Sequence, residues 1–128
     1  MIKIIVFYKS KGIRILAPII RDELKKIGYL ARIIFAKNLD LIIGNKKDTF
    51  FVFTPHKFAN FKRDGTNRDS KFIAFQQEQF SDKTPEGIRR INQFKPLIDK
   101  YDFIVDVSAR NIKFLKEMGH KPEFILPT

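Results

Sequence analysis

The sequence predicts an α/β domain: a Rossmann-like, doubly wound, mostly parallel sheet of about six strands with helices on both faces. Three observations predict it. Short runs of β-branched and aromatic residues recur along the whole chain. Between them lie longer segments with helical periodicity and recognisable caps. And the apolar run Phe72–Phe75 changes at once into the polar cluster Gln77-Glu78-Gln79, which is how an open α/β sheet presents a ligand site at a strand's carboxyl end.

Taken in order, residues 2–8 read as a first buried strand, followed by the polar turn Lys9-Ser10-Lys11-Gly12. A helix follows with Ile13, Leu16, Ile20, Leu24 and Ile27 on one face and Arg21, Asp22, Lys25 and Lys26 opposite. Pro18 is expected near its first turn, where the missing N–H costs little, and Gly28 just past its end. Residues 30–35 form a second strand, 38–43 a turn or helical stub closed by Gly44, and 49–53 a third strand stopped by Thr54-Pro55-His56. From Lys57 to Lys71 the periodicity fails; this basic loop has Asp64-Gly65 as its turn signal and room for one helical turn. Residues 72–76 are the fourth strand. Thr84-Pro85-Glu86 then reads as N-cap, first-position proline and an acid near the positive helix end, with Ile88, Ile91 and Phe94 as the buried stripe and Pro96 ending or kinking the helix. Residues 103–107 are the fifth strand. Ser108 is expected to cap a helix that buries Ile112, Leu115 and Met118 and ends at Gly119, before a short sixth strand at 124–126.

All 128 residues read as one domain, large enough to bury a core. Hydrophobic residues make up 44% and charged residues 30%, a globular balance. No apolar run approaches the roughly 20 residues of a membrane-spanning helix, and the N-terminus reads as a strand, not a secretory signal. The absence of cysteine excludes disulfides and thiolate metal sites, and fits a reducing, cytoplasmic setting. The formal charge of +11 attracts polyanions, although the basic residues are spread along the chain and accompany an Ile-, Lys-, Asn- and Phe-rich composition.

Dinucleotide and P-loop fingerprints are missing, as are metal-ligand clusters and a nucleophile elbow. What remains is a set of polar residues at strand ends. Glu78 could accept hydrogen bonds from sugar hydroxyls or act as a general base, with Gln77 and Gln79 beside it. His56, at the end of the third strand, shares that edge and could move a proton. Ser108 and Asn111 lie at the fifth strand's end, where free helix N–H groups favour a polar ligand. Gly12 would admit a ligand backbone. Asp106, within a strand, is expected to meet a lysine or a backbone N–H, and His120 to complement the last helix's negative end.

The stretches FIAFQQEQ, YDFIVDVSARNIKFLKEMG and KPEFILPT together resemble the N-terminal, acceptor-side domain of a GT-B-type glycosyltransferase. Glu78, Gln79, Ser108, Asn111, Gly119 and Pro127 sit where that pattern wants them, and before Phe72 the likeness is architectural only. The resemblance implies a domain that binds a sugar or glycan acceptor. Glu78 and His56 would be its catalytic pair, and Gln77, Gln79, Ser108, Asn111 and Gly12 its acceptor contacts. It also implies a nucleotide-sugar donor held by a separate domain or chain, with no cofactor in this chain. Hexosyl transfer would need that partner, because the sequence stops where the link to a donor-binding half would begin.

The alternative is a basic, non-enzymatic binder of nucleic acid or another polyanion. Lys57, Lys62, Arg63, Arg68 and Lys71 would contact phosphates, with Phe58 and Phe61 free for stacking.

Overall fold

A computed structural model describes residues 1–40, 47–58, 60–63, 69–106, 108–119 and 123–124. The expectations placed on 41–44, Asp64, Gly65, Arg68, Val107, His120 and 125–128 lie outside them. Among the described residues six parallel strands form one sheet: β1 (Ile2–Phe7), β2 (Ala31–Ala36), β3 (Thr49–Phe53), β4 (Lys71–Gln76), β5 (Phe103–Asp106) and the two-residue β6 (Glu123–Phe124). Their order is β2-β1-β3-β4-β5-β6, the second of the two common doubly wound orders, whose topological switch point lies between β1 and β3. Registers are uninterrupted, with Ile5 opposite Ile34 on one side and Val52 on the other, and Phe53 opposite Phe75.

The side-chain alternation of the strands divides the core in two. Ile4, Val6, Ile33, Phe53, Phe75 and Val105 face the helix α1 (Ile13–Lys26), which answers with Leu16, Ala17, Ile20 and Leu24. Ile5, Phe50, Val52, Phe72, Ala74 and Ile104 face the opposite layer. That layer consists of the helix α2 (Pro85–Phe94), the 3₁₀ segment Lys95–Lys100 that continues it, and the helix α3 (Ala109–Glu117). It contributes Phe94, Leu97, Phe114 and Leu115. Helices therefore cover both faces, as the periodicity predicts. Among the described residues no helix is long and apolar enough to cross a membrane.

Several local expectations hold in detail. Thr84 Oγ1 accepts from Gly87 N–H at 3.0 Å, with Pro85 first in α2 and Glu86 in its first turn. α1 ends with Gly28 at φ +96°, its N–H donating to Lys25 O and that of Tyr29 to Leu24 O, a Schellman termination that glycine makes cheap.

Others are corrected. Pro18 lies inside α1, because the helix begins as soon as Gly12 is passed so that Ile13, Leu16 and Ala17 can cover the sheet. Its missing N–H removes the helical donor for the carbonyl of Arg14, an exposed residue. Ile27 and Ile88, both assigned to buried faces, are 69% and 44% exposed. At the second site Gly87 is the buried residue, since Ser81 backbone atoms lie 2.7 and 2.8 Å from where its Cβ would be. Ser108 starts α3 without a side-chain cap. The helical turn expected at residues 57–61 falls earlier, as a 3₁₀ turn over Pro55–Phe58.

Candidate functional site at the carboxyl edge of the sheet

Parallel strands bring the ends of β1, β3, β4 and β5 to one edge, and with them residues far apart in sequence. β3 is followed by Thr54, a β-branched residue at φ +46° whose buried hydroxyl has no hydrogen-bond partner among the described residues. Such a backbone is strained. It directs the chain into the Pro55–Phe58 turn and sets His56 beside the end of β4. His56 Nε2 lies 3.5 Å from Glu78 Oε1. The other oxygen, Oε2, takes Arg90 Nε at 3.2 Å, and Arg90 is itself anchored by Glu86 at 2.9 Å along α2. Glu78 thus stands between an imidazole and a guanidinium, about one third exposed (35%).

Burial holds His56 below its usual range, outweighing the pull of Glu78 in the other direction, and Lys57, Arg89 and Arg90 push the same way as burial. The imidazole is consequently neutral at pH 7, able both to donate and to accept.

A buried network under the edge holds this turn in place. Gln76 Oε1 accepts from Glu78 N–H at 2.9 Å. Asn111 Nδ2 donates to Glu78 O at 2.7 Å and to Asp106 Oδ2 at 3.0 Å, and its Oδ1 accepts from Phe80 N–H at 2.9 Å. Asp106, fully buried at the end of β5, also accepts from Ser108 N–H at 2.8 Å. Burial pushes its carboxyl up to about 6, against the lowering effect of Ser108, Asn111 and Gln76. The backbone N–H expected for Asp106 is there; instead of a lysine it meets the Asn111 and Gln76 amides.

The structure therefore brings Glu78 and His56 together and adds Arg90, which no sequence signal singled out. Gln77 is half-buried and Gln79 exposed next to them. Asn111 reaches Glu78 only through its backbone carbonyl, and both ends of its amide are already engaged. It positions the turn. Ser108 is half-buried behind it. Gly12, the exposed residue at the start of α1, lies on the same edge at the end of β1, in a turn braced by Arg14 donating to Tyr8 O and Ser10 O. A Cβ there would touch nothing. Lys57 is exposed, its ammonium 5.7 Å over the Phe7 ring at the switch point.

Among its described residues the basic loop does not form one surface. Phe58 and Phe61 are 3% and 1% exposed, packed into the core and closed to stacking bases, which corrects that expectation. Arg63 turns inward: Nη1 donates to Lys100 O at 2.8 Å and to Asp102 Oδ2 at 3.2 Å, over the Phe72 ring at 4.4 Å. Lys62 is exposed, while Lys71 opens β4 and so lies at the opposite edge of the sheet from Lys57.

Among the described residues no cluster of three or more His, Cys, Asp or Glu could hold a metal. Compared with protein-family models, curated proteins and solved structures, the chain matches none of them.

Proposed function

We infer that the carboxyl edge of the sheet binds a hydroxyl-bearing ligand, a sugar or glycan, as the acceptor side of a glycosyltransferase-like transfer. One observation carries the reading: the Glu78 carboxylate held between neutral His56 and Arg90 at a ligand-presenting sheet edge. A sugar hydroxyl donates one hydrogen bond and accepts others, so it is matched by a carboxylate acceptor flanked by nitrogen donors. Gln77 and Gln79 add amides of both kinds alongside. In a transfer, the acceptor oxygen would attack the anomeric carbon of a nucleotide sugar as the bond to the departing diphosphate breaks. The hydroxyl proton would pass to the Glu78–His56 pair as general base. The donor would be held by a further domain or a partner chain.

The test is saturation-transfer NMR of the full chain against a panel of free mono- and disaccharides. Binding by the wild type should fall about tenfold or more in Glu78→Gln, with a melting temperature within about 2 °C of wild type because the side chain is partly exposed. A panel without any binder, or equal binding by Glu78→Gln, would sink the reading. A large loss of stability in that variant would make Glu78 a structural carboxylate.

A further inference from the structure

Away from Glu78, a cleft of about 360 Å³ lies between the Phe80–Lys83 turn and the first turns of α3. Phe80 and Phe114, at 89° to one another, form its floor, and Lys83, Arg110 and Lys113 stand around it with the single carboxylate of Asp82. A second cleft of about 290 Å³ shares Asp82 and Phe114 with the first and runs on between α2 and α3, lined by Ile88, Ile91 and Met118, with Lys95 and Glu117 flanking it. The two make one groove, basic at one end and apolar at the other.

We propose that this groove binds an organic phosphate, its anionic group on Lys83, Arg110 and Lys113 and its apolar part on Ile88, Ile91 and Met118. Three features converge. None of the three cations forms an ion pair among the described residues, whereas Lys3, Lys26, Arg63 and Arg90 do. Arg110 and Lys113 occupy the first half of α3, which has no acid in its first turn and no side-chain cap. Positive charge there opposes the helix dipole and is relieved by a bound anion; α2, by contrast, carries Glu86 in its first turn. The wall opposite is rigid, since Phe80 N–H is held by Asn111 and Ser81 is packed against Gly87 of α2. An arginine fork beside two ammonium groups matches phosphate oxygens. A compact concave site favours a small ligand over the extended stripe that a nucleic acid requires. The exposed Ile88 then has a partner.

The experiment titrates the full chain with inorganic phosphate and with phenyl phosphate, following backbone amide shifts. Both should perturb Ser81–Lys83 and Arg110–Lys113, and phenyl phosphate should bind more tightly and reach Ile88 and Met118. Arg110→Ala/Lys113→Ala should weaken binding about tenfold or more. The charge-matched control Lys25→Ala/Arg32→Ala, exposed on α1 and β2, should leave it within about twofold. The cleft variant should also melt, ligand-free, at or above wild type, since it removes charge opposed to the helix dipole. Co-sedimentation with phosphatidylcholine vesicles carrying phosphatidic acid separates the sources. Sedimentation lost in the cleft variant assigns a lipid phosphate; none, with phenyl phosphate still bound, assigns a soluble one. Equal weakening in control and cleft variants, or no shift with either phosphate, overturns the proposal. So would a cleft variant that unfolds early. The Glu78–His56 reading stands or falls separately, because Glu78→Gln should leave phosphate binding intact.

Discussion

Asn111→Ala should unfasten the turn that carries Glu78. In the native protein the Asn111 amide donates to Glu78 O and Asp106 and accepts from Phe80 N–H, and the asparagine is 1% exposed. Alanine leaves the Phe80 N–H and one side of the Asp106 carboxylate unpaired, while Gln76 Nε2 still donates to the Glu78 carbonyl. At about 1–3 kcal/mol for each buried group left without a partner, and with some relief as water enters, the loss should be about 2–4 kcal/mol. Urea unfolding at pH 7 reads it as a fall in midpoint at nearly unchanged slope. The pH dependence offers a second check. Asp106 titrates near 6 in the folded protein and near the usual 4 unfolded. Between those values the folded state binds the extra proton, so Asp106's contribution to stability declines as pH rises from about 4 to about 6. Removing a donor that favours the carboxylate raises the folded value further and extends that decline above pH 6. A loss below about 1 kcal/mol with an unaltered pH profile would refute the account, and the turn would then owe its position to Gln76 or to Phe80 packing alone.

Other outcomes follow from single contacts. Gly87→Ala drives a Cβ into the Ser81 backbone, which cannot retreat as a flexible side chain would, and should cost about 2–3 kcal/mol in thermal unfolding. Arg63→Ala should lose about 2 kcal/mol through its bonds to Lys100 O and Asp102, while the salt dependence of polyanion binding stays unchanged; a shallower salt slope would return Arg63 to the surface. His56 should titrate below 6.5 by NMR, identified by the signal missing in His56→Gln. Because the unfolded chain takes up that proton first as pH falls, stability should rise with pH up to about 6.5, and the variant should lose that rise. Asp48 is held below the usual carboxylate range by Lys3, at 2.6 Å, and by the N-terminal ammonium. Its stabilisation is full above about 4 and disappears as pH drops through its lowered folded value; Asp48→Asn should therefore flatten the acid limb of the stability curve.

Local chemistry was legible wherever a few adjacent residues suffice. Thr84-Pro85-Glu86 specifies a helix start because cap, fixed φ and charge all act within one turn. Gly28 specifies a helix stop because a left-handed residue there costs glycine little. The break from Phe75 to Gln77 marks a strand leaving the core, and Glu78 does sit at the carboxyl edge of the sheet. The same local rules misjudged Pro18, Ile88 and the rings of Phe58 and Phe61. Position relative to the sheet decides those, and it overrides propensity and polarity of surroundings.

By itself the sequence determined that strands and helices alternate, that the sheet is parallel with helices on both faces, and that polar residues gather at strand ends. Alternation, periodicity and handed crossovers leave little else. Only the tertiary structure decided the strand order, the meeting of His56, Glu78 and Arg90, and the employment of Asn111 and Asp106 as supports under the turn. Parallel pairing joins strands through long crossovers, so neighbours across the edge stand as far apart in sequence as the 33 positions that separate Glu78 from Asn111. No short-range pattern encodes which of those distant side chains will share a hydrogen bond.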